Sequence, residues 1–245
     1  MSHRYFASQI EGDTALLLGE EAAHVARVLR CKPGEALLLF DGSGSEYDAE
    51  IVEVTPQQVR LTIRARRAAT TEPGVAVTLY VGLPKGDKLE LIVQKATELG
   101  AARVVPFESR FCVAKMKNEA AKLERWARIA KEAAKQSGRA QVPEVLPTLA
   151  FSTMCRQAAE ADVALFCYER GGDALAPGSA LHTRLTKAKT VAIITGAEGG
   201  FDEQEAAQAV ATGCTQVGLG PRILRCETAP LAALAAVMVL TGNLC

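Results

Sequence analysis

Apolar and polar positions follow two different rhythms along the chain. In the first 67 residues they alternate in short runs such as EALLLF, YDAEIVEV and QVRLTIRAR, which are separated by turn-rich pieces such as KPGE and DGSGS. Alternation with a period of two is typical of strands that bury one face. The first part of the chain therefore predicts a small β-barrel or β-rich domain, with one short helix around residues 20–29.

The stretch AATTEPG at residues 68–74 is typical of a linker, and the pattern changes after it. The apolar runs VTLYVGL, RVVPF, VALFCY, TVAIITG and QVGLG alternate with helical segments near residues 87–99, 122–136, 153–161, 202–210 and 229–240. Uniformly apolar strands separated by helices predict a mostly parallel sheet covered on both faces. The pairs Asp87 with Glu90 and Asp202 with Glu205 predict capping boxes at two helix starts.

Composition narrows the class of protein. The 245 residues suffice for two modest domains, and 28 basic residues balance 28 acidic ones. Bulk charge therefore gives no sign of a polyanionic partner, and any nucleic-acid surface must be local. The seven cysteines are scattered, without a CxxC motif and without a histidine at metal-ligand spacing. This pattern indicates reduced thiols in a cytoplasmic protein that binds no metal.

Membrane association is not expected. The first residues lack the apolar core of a signal peptide. The uncharged stretch from residue 229 to residue 245 is short for a membrane span and contains proline and glycine. We interpret that stretch as a buried helix.

Two loops carry the candidate chemistry. The glycine loop (residues 195–201, TGAEGGF) joins an apolar strand to a capped helix, where backbone N–H groups and a helix N-terminus favour an anionic ligand. Taken by itself, this turn is interpreted as a plain connector whose glycines serve a steric purpose. The arginine loop (residues 219–229, LGPRILRCETA) places charged groups beside a segment that must be buried. Its structural alternative is an ion pair between Glu227 and an arginine, with Thr228 as N-cap of the last helix.

Together, the two loops resemble the C-terminal core of the SPOUT methyltransferases, and most closely the RsmE family of 16S rRNA (uracil-N3) methyltransferases. The resemblance spans nearly the whole chain. It is also carried by RYF at residues 4–6, HVARVLR at 24–30, KGDK at 85–88, QKATELG at 94–100, ERW at 124–126, EAAKQSGR at 132–139 and PE at 143–144. The most specific motif is ILRCETA at 223–229. Two residues depart from the family pattern: Ala197 replaces a usual proline, and Cys226 stands where threonine is common.

The resemblance implies an α/β fold in which residues 74–245 form a SPOUT-type parallel sheet with a C-terminal trefoil knot, preceded by a PUA-like RNA-binding β-barrel over residues 1–70. It also implies a homodimer, and S-adenosyl-L-methionine (SAM) as the cofactor, held against the two loops. The expected cofactor-binding residues are Thr195, Gly196, Glu198, Gly199, Gly200, Leu219, Gly220, Ile223, Leu224, Thr228 and Ala229.

The implied reaction methylates N3 of a uridine in 16S rRNA of the small ribosomal subunit, uridine 1498 by family resemblance. N3 of uracil is a weak acid, so negative charge develops on its neighbouring carbonyl oxygens as the proton leaves. A positioned cation stabilises such charge. We expect Arg225 to supply this cation and Glu227 to orient it or to help remove the proton, although an ordinary glutamate is too acidic to be an efficient base.

Basic residues occur in two separate places. Residues 59–66 alternate so that arginines lie on one strand face and apolar residues on the other. Residues 110–139 carry an excess of basic over acidic residues. Such runs are usually solvated faces, but beside the SPOUT-like motifs they indicate phosphate contacts. The expected RNA-binding residues are Arg4, Arg27, Arg30, Arg60, Arg64, Arg66, Arg128, Lys131, Lys135 and Arg139.

Three alternatives remain open at this level. The chain could be a SPOUT methyltransferase that modifies another RNA site, because the pocket residues do not reveal the target atom. It could be an RNA-binding ribosome assembly factor that kept the fold without catalysis, although intact loops argue against this. A nucleotide- or NAD-binding oxidoreductase is disfavoured, because no GxGxxG motif occurs and the glycine loop comes late in the chain.

Overall fold

The computed structural model describes residues 4–244, which form two compact units. The N-terminal unit contains the described residues up to Glu72 together with Ala134–Val142. The C-terminal unit contains Pro73–Ala133 and the residues from Pro143 onward. No sequence pattern indicated that a segment from the middle of the chain groups with the N-terminal residues.

The N-terminal unit is built on a six-stranded sheet. Its strands are β1 (Arg4–Phe6), β2 (Gln9–Glu11), β3 (Thr14–Leu18), β4 (Ala36–Phe40), β5 (Ser45–Val54) and β6 (Gln58–Ala68). They are ordered β1-β4-β5-β6-β3-β2, and all neighbours are antiparallel except β1 and β4. The prediction of a β-rich N-terminal unit is confirmed.

Strand β6 keeps the predicted alternation only in its first part. Val59 and Leu61 are buried and Arg60 is exposed, as expected. The pairing with β5 then shifts by one residue, from Ala65 opposite Asp48 to Ile63 opposite Ala49. A shift of this kind is a β-bulge, which changes the face to which the following residues point. Ala65 is therefore exposed, contrary to the simple alternation.

The predicted helix at residues 20–29 is present but changes type. An α-helical turn, α1 (Gly19–Ala23), continues directly into a π-helical segment, His24–Leu29. Ala22 and Val25 are buried beneath it. The segment ends at Arg30, whose φ of 54° is left-handed.

The carboxylate of Glu72 is one of the groups that hold Ala134–Val142 in the N-terminal unit. The guanidinium of Arg139 donates to Oε2 of Glu72 at 3.1 and 2.7 Å. The backbone N–H groups of Ala140 and Gln141 donate to its other oxygen at 2.9 and 3.0 Å. Hydrogen bonds of this kind satisfy a partly buried carboxylate almost completely. Arg139 is accordingly buried, with 4% of its surface exposed.

The C-terminal unit contains a parallel sheet of eight strands. These are β7 (Ala76–Gly82), β8 (Arg103–Glu108), β9 (Glu144–Val145), β10 (Leu149–Ala150), β11 (Val163–Cys167), β12 (Asp173–Ala174), β13 (Thr190–Thr195) and β14 (Thr215–Gly218). The order is β10-β8-β7-β13-β11-β14-β12, with β9 also paired to β8, and every pairing is parallel. The predicted parallel sheet is confirmed.

Six helices accompany this chain segment. They are α2 (Lys88–Glu98), α3 (Glu119–Ser137), α4 (Phe151–Ala158), α5 (Ala180–Leu185), α6 (Glu203–Ala211) and α7 (Ala229–Leu240). The bounds of α7 agree with the prediction, and α4 begins two residues earlier than expected. Helix α5 and the two-residue strands β9, β10 and β12 were not predicted, because segments this short carry too little periodicity.

One of the two predicted capping boxes is confirmed and the other is wrong. At α6, the side chain of Asp202 accepts from the backbone N–H of Glu205 and the Glu205 side chain accepts from the backbone N–H of Asp202. At α2, Asp87 makes no side-chain cap bond, because its ψ of 12° is not the extended conformation that such a cap requires. The side chain of Glu90 instead accepts from Arg125 at 2.7 Å.

Helix α7 is uncharged and packs against α2, α5, β7 and β13. Within residues 4–244, no helix combines the length and apolar character needed to cross a membrane. The six cysteines in this range are free thiols, and the same residues contain no cluster of histidine, cysteine or carboxylate side chains suited to a metal ion.

Candidate active site

The site lies at the carboxyl edge of the parallel sheet. Thr195 ends β13, Cys167 ends β11 and Gly218 ends β14, and β11 pairs with both of the other strands. Because the carboxyl ends of parallel strands meet at one edge, the loops after these strands are neighbours. The glycine loop and the arginine loop, about twenty residues apart in sequence, are thus brought to the same place.

Between these loops lies a cavity of about 630 Å³. This volume is in the usual range for a site that binds a small molecule. Ten of the predicted cofactor-binding residues line it: Thr195, Gly196, Glu198, Gly199, Gly200, Leu219, Gly220, Ile223, Leu224 and Ala229. Arg225 also lines it, whereas Thr228 and Glu227 do not.

Several lining residues were missed by the sequence analysis: Lys88, Cys167, Tyr168, Glu169, Pro221 and Arg222. Cys167 ends β11, and Tyr168 and Glu169 follow it. Ligands of parallel sheets bind at the carboxyl ends of the strands, so the end of this predicted strand could have been flagged from the sequence. Lys88 is the first residue of α2. A cation is unfavourable at a helix N-terminus, so a lysine there was a signal of a nearby negative charge.

The glycine loop is anchored by an aromatic residue. Phe201 is buried, stacks parallel to Phe107 at 6.1 Å and contacts Phe166 at 4.4 Å between ring centroids. The preceding Gly200 adopts a φ of 64°, which residues with a side chain rarely adopt. The loop therefore leaves the sheet in a tight turn that ends in the core.

Lys88 connects the two loops. Its ammonium donates to Oε1 of Glu198 in the glycine loop at 2.9 Å and lies 3.3 Å from Oε2 of Glu227 in the arginine loop. It also lies 3.5 Å from the sulfur of Cys226, whose thiol donates to Glu227 at 3.2 Å. The backbone N–H of Lys85 donates to the same oxygen of Glu198 at 3.1 Å.

This geometry corrects the expected role of Glu227. The carboxylate was predicted to orient Arg225, but its hydrogen-bond and ion-pair partners in the described chain are Cys226 and Lys88. The alternative of a Glu227–arginine pair is not observed either. Thr228 is the N-cap of α7, yet its side chain makes no cap bond.

The charges in this cluster are strongly held. The hydrogen bond that Lys88 donates to Glu198 raises the pKa of Lys88 above its ordinary value. The bond from Cys226, the backbone N–H of Glu227 and the contact with Lys88 hold the pKa of Glu227 below its usual range. At Glu198, burial alone would raise the pKa, but hydrogen bonds from Lys88 and from backbone N–H groups outweigh this effect. The pKa of Glu198 is therefore also below its usual range. Lys88 is therefore protonated and both glutamates are ionised near neutral pH.

Burial, followed by the hydrogen bond to Glu227, raises the pKa of the Cys226 thiol to about 12. The thiol thus stays neutral and serves as a hydrogen-bond donor. Cys226 occupies a position where threonine is common in the family pattern. A neutral thiol can donate a hydrogen bond as a hydroxyl can, although the bond is weaker.

The backbone of Arg225 is fixed by hydrogen bonds, whereas its side chain is not. Its carbonyl accepts from the N–H groups of Thr228 and Ala229 at 2.8 and 2.9 Å, which fixes the backbone where the arginine loop enters α7. Its side chain is exposed at the cavity, without a hydrogen bond or ion pair to another residue in the described range. The guanidinium is therefore available to a molecule that binds there.

Two residues with buried hydroxyl groups also line this cavity. Thr195 is 1% exposed and Tyr168 is 6% exposed, and both line the cavity. Neither Oγ1 of Thr195 nor the hydroxyl of Tyr168 has a hydrogen-bond partner within the described chain. Buried polar groups are normally satisfied, so these two hydroxyls suit a ligand with polar groups such as those of SAM.

Most of the predicted RNA-binding residues are exposed, namely Arg27, Arg30, Arg60, Arg64, Arg66, Arg128 and Lys131. Five of the predicted residues form ion pairs with acidic residues of their own unit: Arg4 with Glu46, Arg60 with Glu53, Arg64 with Glu50, Lys135 with Glu21 and Arg139 with Glu72. Arg66 lies over the ring of Tyr47, 5.2 Å from its centroid. The burial of Arg139 speaks against the phosphate contact expected of it.

Comparisons with known proteins agree with this fold and site. A family model described as an RNA methyltransferase domain matches residues 71–238, and one described as an RNA methyltransferase PUA domain matches residues 17–64. The parallel sheet with its cavity and the N-terminal β-rich unit thus define an RNA methyltransferase that carries a PUA domain.

The chain belongs to the family of ribosomal RNA small subunit methyltransferase E. It is 37% identical to the member from Bacillus subtilis over 231 residues, which are 93% of this chain and 90% of that protein. The crystal structure of the Neisseria gonorrhoeae member bound to S-adenosyl methionine is similar, with a TM-score of 0.83, 30% identity and 98% of both chains covered. A putative methyltransferase from Legionella pneumophila in complex with SAM has a TM-score of 0.81 and 29% identity, again over 98% of both chains.

Proposed function

We propose that the protein transfers the methyl group of SAM to N3 of a uridine in 16S rRNA of the small ribosomal subunit, uridine 1498 by family resemblance. The observation that carries this proposal is the cavity between the glycine loop and the arginine loop, with Arg225 unpaired at its lining. A cytoplasmic location belongs to the same proposal, because the substrate is a ribosomal particle.

SAM would be held by the backbone of both loops and by the hydroxyls of Thr195 and Tyr168. When bound, it supplies a methyl group on a positively charged sulfur. Glu169 and Glu198 line the same cavity and offer carboxylate oxygens to positively charged or hydroxyl groups of the ligand. Thr228 and Glu227 do not line the cavity, so direct contact with the cofactor is proposed for neither.

Arg225 is the proposed catalytic residue. As N3 of uracil loses its proton, negative charge spreads to the two flanking carbonyl oxygens, and a guanidinium donates to such oxygens in a fixed planar geometry. One well-placed donor of this kind contributes on the order of 3–4 kcal/mol to the transition state. Glu227 stays ionised and bound to Lys88, which makes it a poor base, so its proposed part is electrostatic.

We assign RNA contact to both domains, with residues 1–70 as the PUA-like RNA-binding domain and residues 74–245 as the methyltransferase domain. Arg27 and Arg30 in the first, and Arg128 and Lys131 in the second, are exposed cations suited to phosphate groups. A short RNA can engage one patch, whereas a folded particle can engage both and gain effective concentration at the second. Good activity on 30S subunits and poor activity on a short hairpin are therefore expected.

A homodimer and a C-terminal trefoil knot are parts of the proposal. The dimer is supported by apolar residues that remain exposed on the packed pair α2 and α7, Leu91 at 43% and Val239 at 52%. The knot is supported by the burial of the uncharged α7 against α2, β7 and β13, directly after the arginine loop. Light scattering of the purified protein gives the oligomeric state.

Mass mapping of 16S rRNA from a deletion strain tests the function. Loss of one methyluridine is expected, and the purified protein should restore it on 30S subunits when SAM is supplied. Unchanged 16S rRNA in the deletion strain, with a methyl group absent from another RNA, would reassign the substrate. A folded protein that binds no SAM in calorimetry would remove the activity altogether.

A further inference from the structure

Lys88 occupies a helix position that is unfavourable for a lysine unless distant carboxylates pair with it. It is the first residue of α2, so its charge lies at the positive end of the helix dipole. Among the lysines of this helix, Lys95 has a local partner, Glu98, one turn away at 2.7 Å. Lys88 has none within α2, and its two carboxylate partners come from the glycine loop and the arginine loop.

The ammonium of Lys88 bridges the carboxylates of Glu198 and Glu227. Glu198 Oε1 and Glu227 Oε2 lie 2.9 and 3.3 Å from the same nitrogen, so the two carboxylates are close neighbours. Without a cation between them, two ionised carboxylates at this separation repel each other. The groups that offset this repulsion are the Lys88 ammonium, the Cys226 thiol and backbone N–H groups, including that of Lys85.

No hydrogen bond or ion pair joins the glycine loop directly to the arginine loop among the described residues. Phe201 anchors the glycine loop in the core, and Thr228 and Ala229 tie the arginine loop to α7. Each of these contacts, like the backbone contact of Ala197 with Gly82, acts on one loop alone. A cavity of about 630 Å³ separates the middle parts of the loops, so the spacing across it depends on side chains that reach both.

We propose that Lys88 is a positioning residue, which holds the glycine loop and the arginine loop together at the spacing that the cofactor site requires. The effect of this bridge on methyl transfer rests on the proposed function. The bridge itself is present in the protein without cofactor. In this role Lys88 acts through Glu198 and Glu227. Arg225 lies two residues before Glu227 in the arginine loop, so the bridge also fixes the position of Arg225.

Hydrogen exchange of the free protein tests the bridge without any cofactor. In Lys88→Met, we expect amides in residues 196–200 and in residues 222–227 to exchange faster by about tenfold, since charge-assisted hydrogen bonds are removed at both loops while solvent screening limits their strength. Lys95→Met is the matched control, because it removes a lysine and an ion pair from the same helix. Its exchange in both loops should equal that of the unchanged protein.

Two further variants test separately the ion pairs of Lys88 with Glu198 and with Glu227. Glu198→Gln should loosen mainly the glycine loop, and Glu227→Gln mainly the arginine loop, and both changes leave Lys88 in place. These variants also cover the case in which Lys88→Met folds poorly. Equal exchange in the two loops across all variants would overturn the proposal.

Cofactor binding then separates the bridge from the proposed activity. Lys88→Met should bind S-adenosylhomocysteine about tenfold more weakly, and Lys88→Arg should restore most of this affinity, because a guanidinium can reach both carboxylates. Weaker binding without faster exchange in either loop would make Lys88 a direct cofactor ligand and would contradict the inference. If the unchanged protein binds no cofactor while the loops still loosen as described, the proposed function fails and the bridge stands.

Discussion

Gly82 and Ala197 touch backbone to backbone. A Cβ placed on Gly82 would lie 2.4 Å from the backbone nitrogen of Ala197 and 2.8 Å from the carbonyl carbon of Gly196. Gly82 ends β7 and Ala197 lies in the glycine loop after the neighbouring strand β13, so the loop rests directly on the end of β7. The absence of a side chain at Gly82 is what allows this close approach.

Gly82→Ala should therefore displace the glycine loop. The overlap involves two backbones, which cannot rotate away as a side chain can, and overpacking of this kind costs about 1–3 kcal/mol. We expect a lower melting temperature and cofactor affinity reduced by about tenfold or more, measured by thermal unfolding and calorimetry. The control is Gly74→Ala, where the added Cβ meets only an ordinary contact at 3.8 Å. Equal behaviour of the two variants would show that the loop tolerates the displacement.

Replacement of Arg225 should separate chemistry from binding. Arg225→Ala removes the proposed transition-state donor, so methyl transfer to 30S subunits should fall by about one hundredfold or more. Affinity for S-adenosylhomocysteine should change much less, because the side chain makes no bond that shapes the cavity. Arg156→Ala, an exposed arginine on α4, serves as the control. Near-normal turnover in Arg225→Ala would move the role to another residue, with Arg222 as the first to examine.

The cap of α6 predicts a pH-dependent contribution to stability. The backbone N–H of Glu205, together with Arg110, holds the pKa of Asp202 below its usual range although burial opposes this. Because the folded-state pKa is depressed, the stabilisation is present above the unfolded pKa of about 3.9 and is lost as pH falls through the folded value. Asp202→Ala should lower the melting temperature by about 2–4 °C at pH 7, and by less below pH 4.

Asp202→Asn is the matched variant for this measurement. Asparagine keeps the cap acceptor but does not titrate in acid. Its melting temperature should therefore lack the pH dependence that Asp202 contributes. A difference between Asp202→Ala and the unchanged protein that stays constant from pH 7 to pH 3 would contradict the assigned cause.

Salt dependence should report on phosphate binding. Arg27 and Arg128 are exposed, one in each unit, and neither side chain has a hydrogen-bond or ion-pair partner among the described residues. Arg27→Glu and Arg128→Glu should each weaken binding to 30S subunits and reduce the slope of log K against log salt by about 0.7–0.9 for each phosphate that the arginine neutralises. Arg156→Glu is the control for the charge change. An unchanged slope in both variants would assign the two arginines to ordinary solvated surface.

Much of the fold could be predicted from local patterns. The apolar runs, their spacing and the uncharged tail predicted the strands of the C-terminal unit and helix α7, and the Asp202–Glu205 pair predicted the start of α6. These features follow from repeats and caps within a few residues, which a sequence records directly. The same reasoning failed at Asp87, whose backbone is not in the extended conformation that a side-chain cap requires.

The candidate site was predicted in part. The glycine and arginine loops were identified from residue types alone, and ten of the eleven predicted cofactor residues line one cavity. Tyr168 was missed because a tyrosine after an apolar strand resembles ordinary core. That its hydroxyl is buried without a partner in the described chain is visible only when all its neighbours are in place.

What the sequence determined by itself is therefore the local order: which segments are strands and helices, which loops follow the strands, and which residue types those loops contain. Only the tertiary structure decided which of these residues meet. Lys88 is 110 residues from Glu198 and 138 residues from Cys226, and the cation that Glu227 binds is this lysine rather than the arginine beside it in sequence. Such partners depend on the strand order β7-β13-β11-β14, which places distant loops side by side. Periodicity encodes the face that a residue presents, but it carries no information about which other segment covers that face.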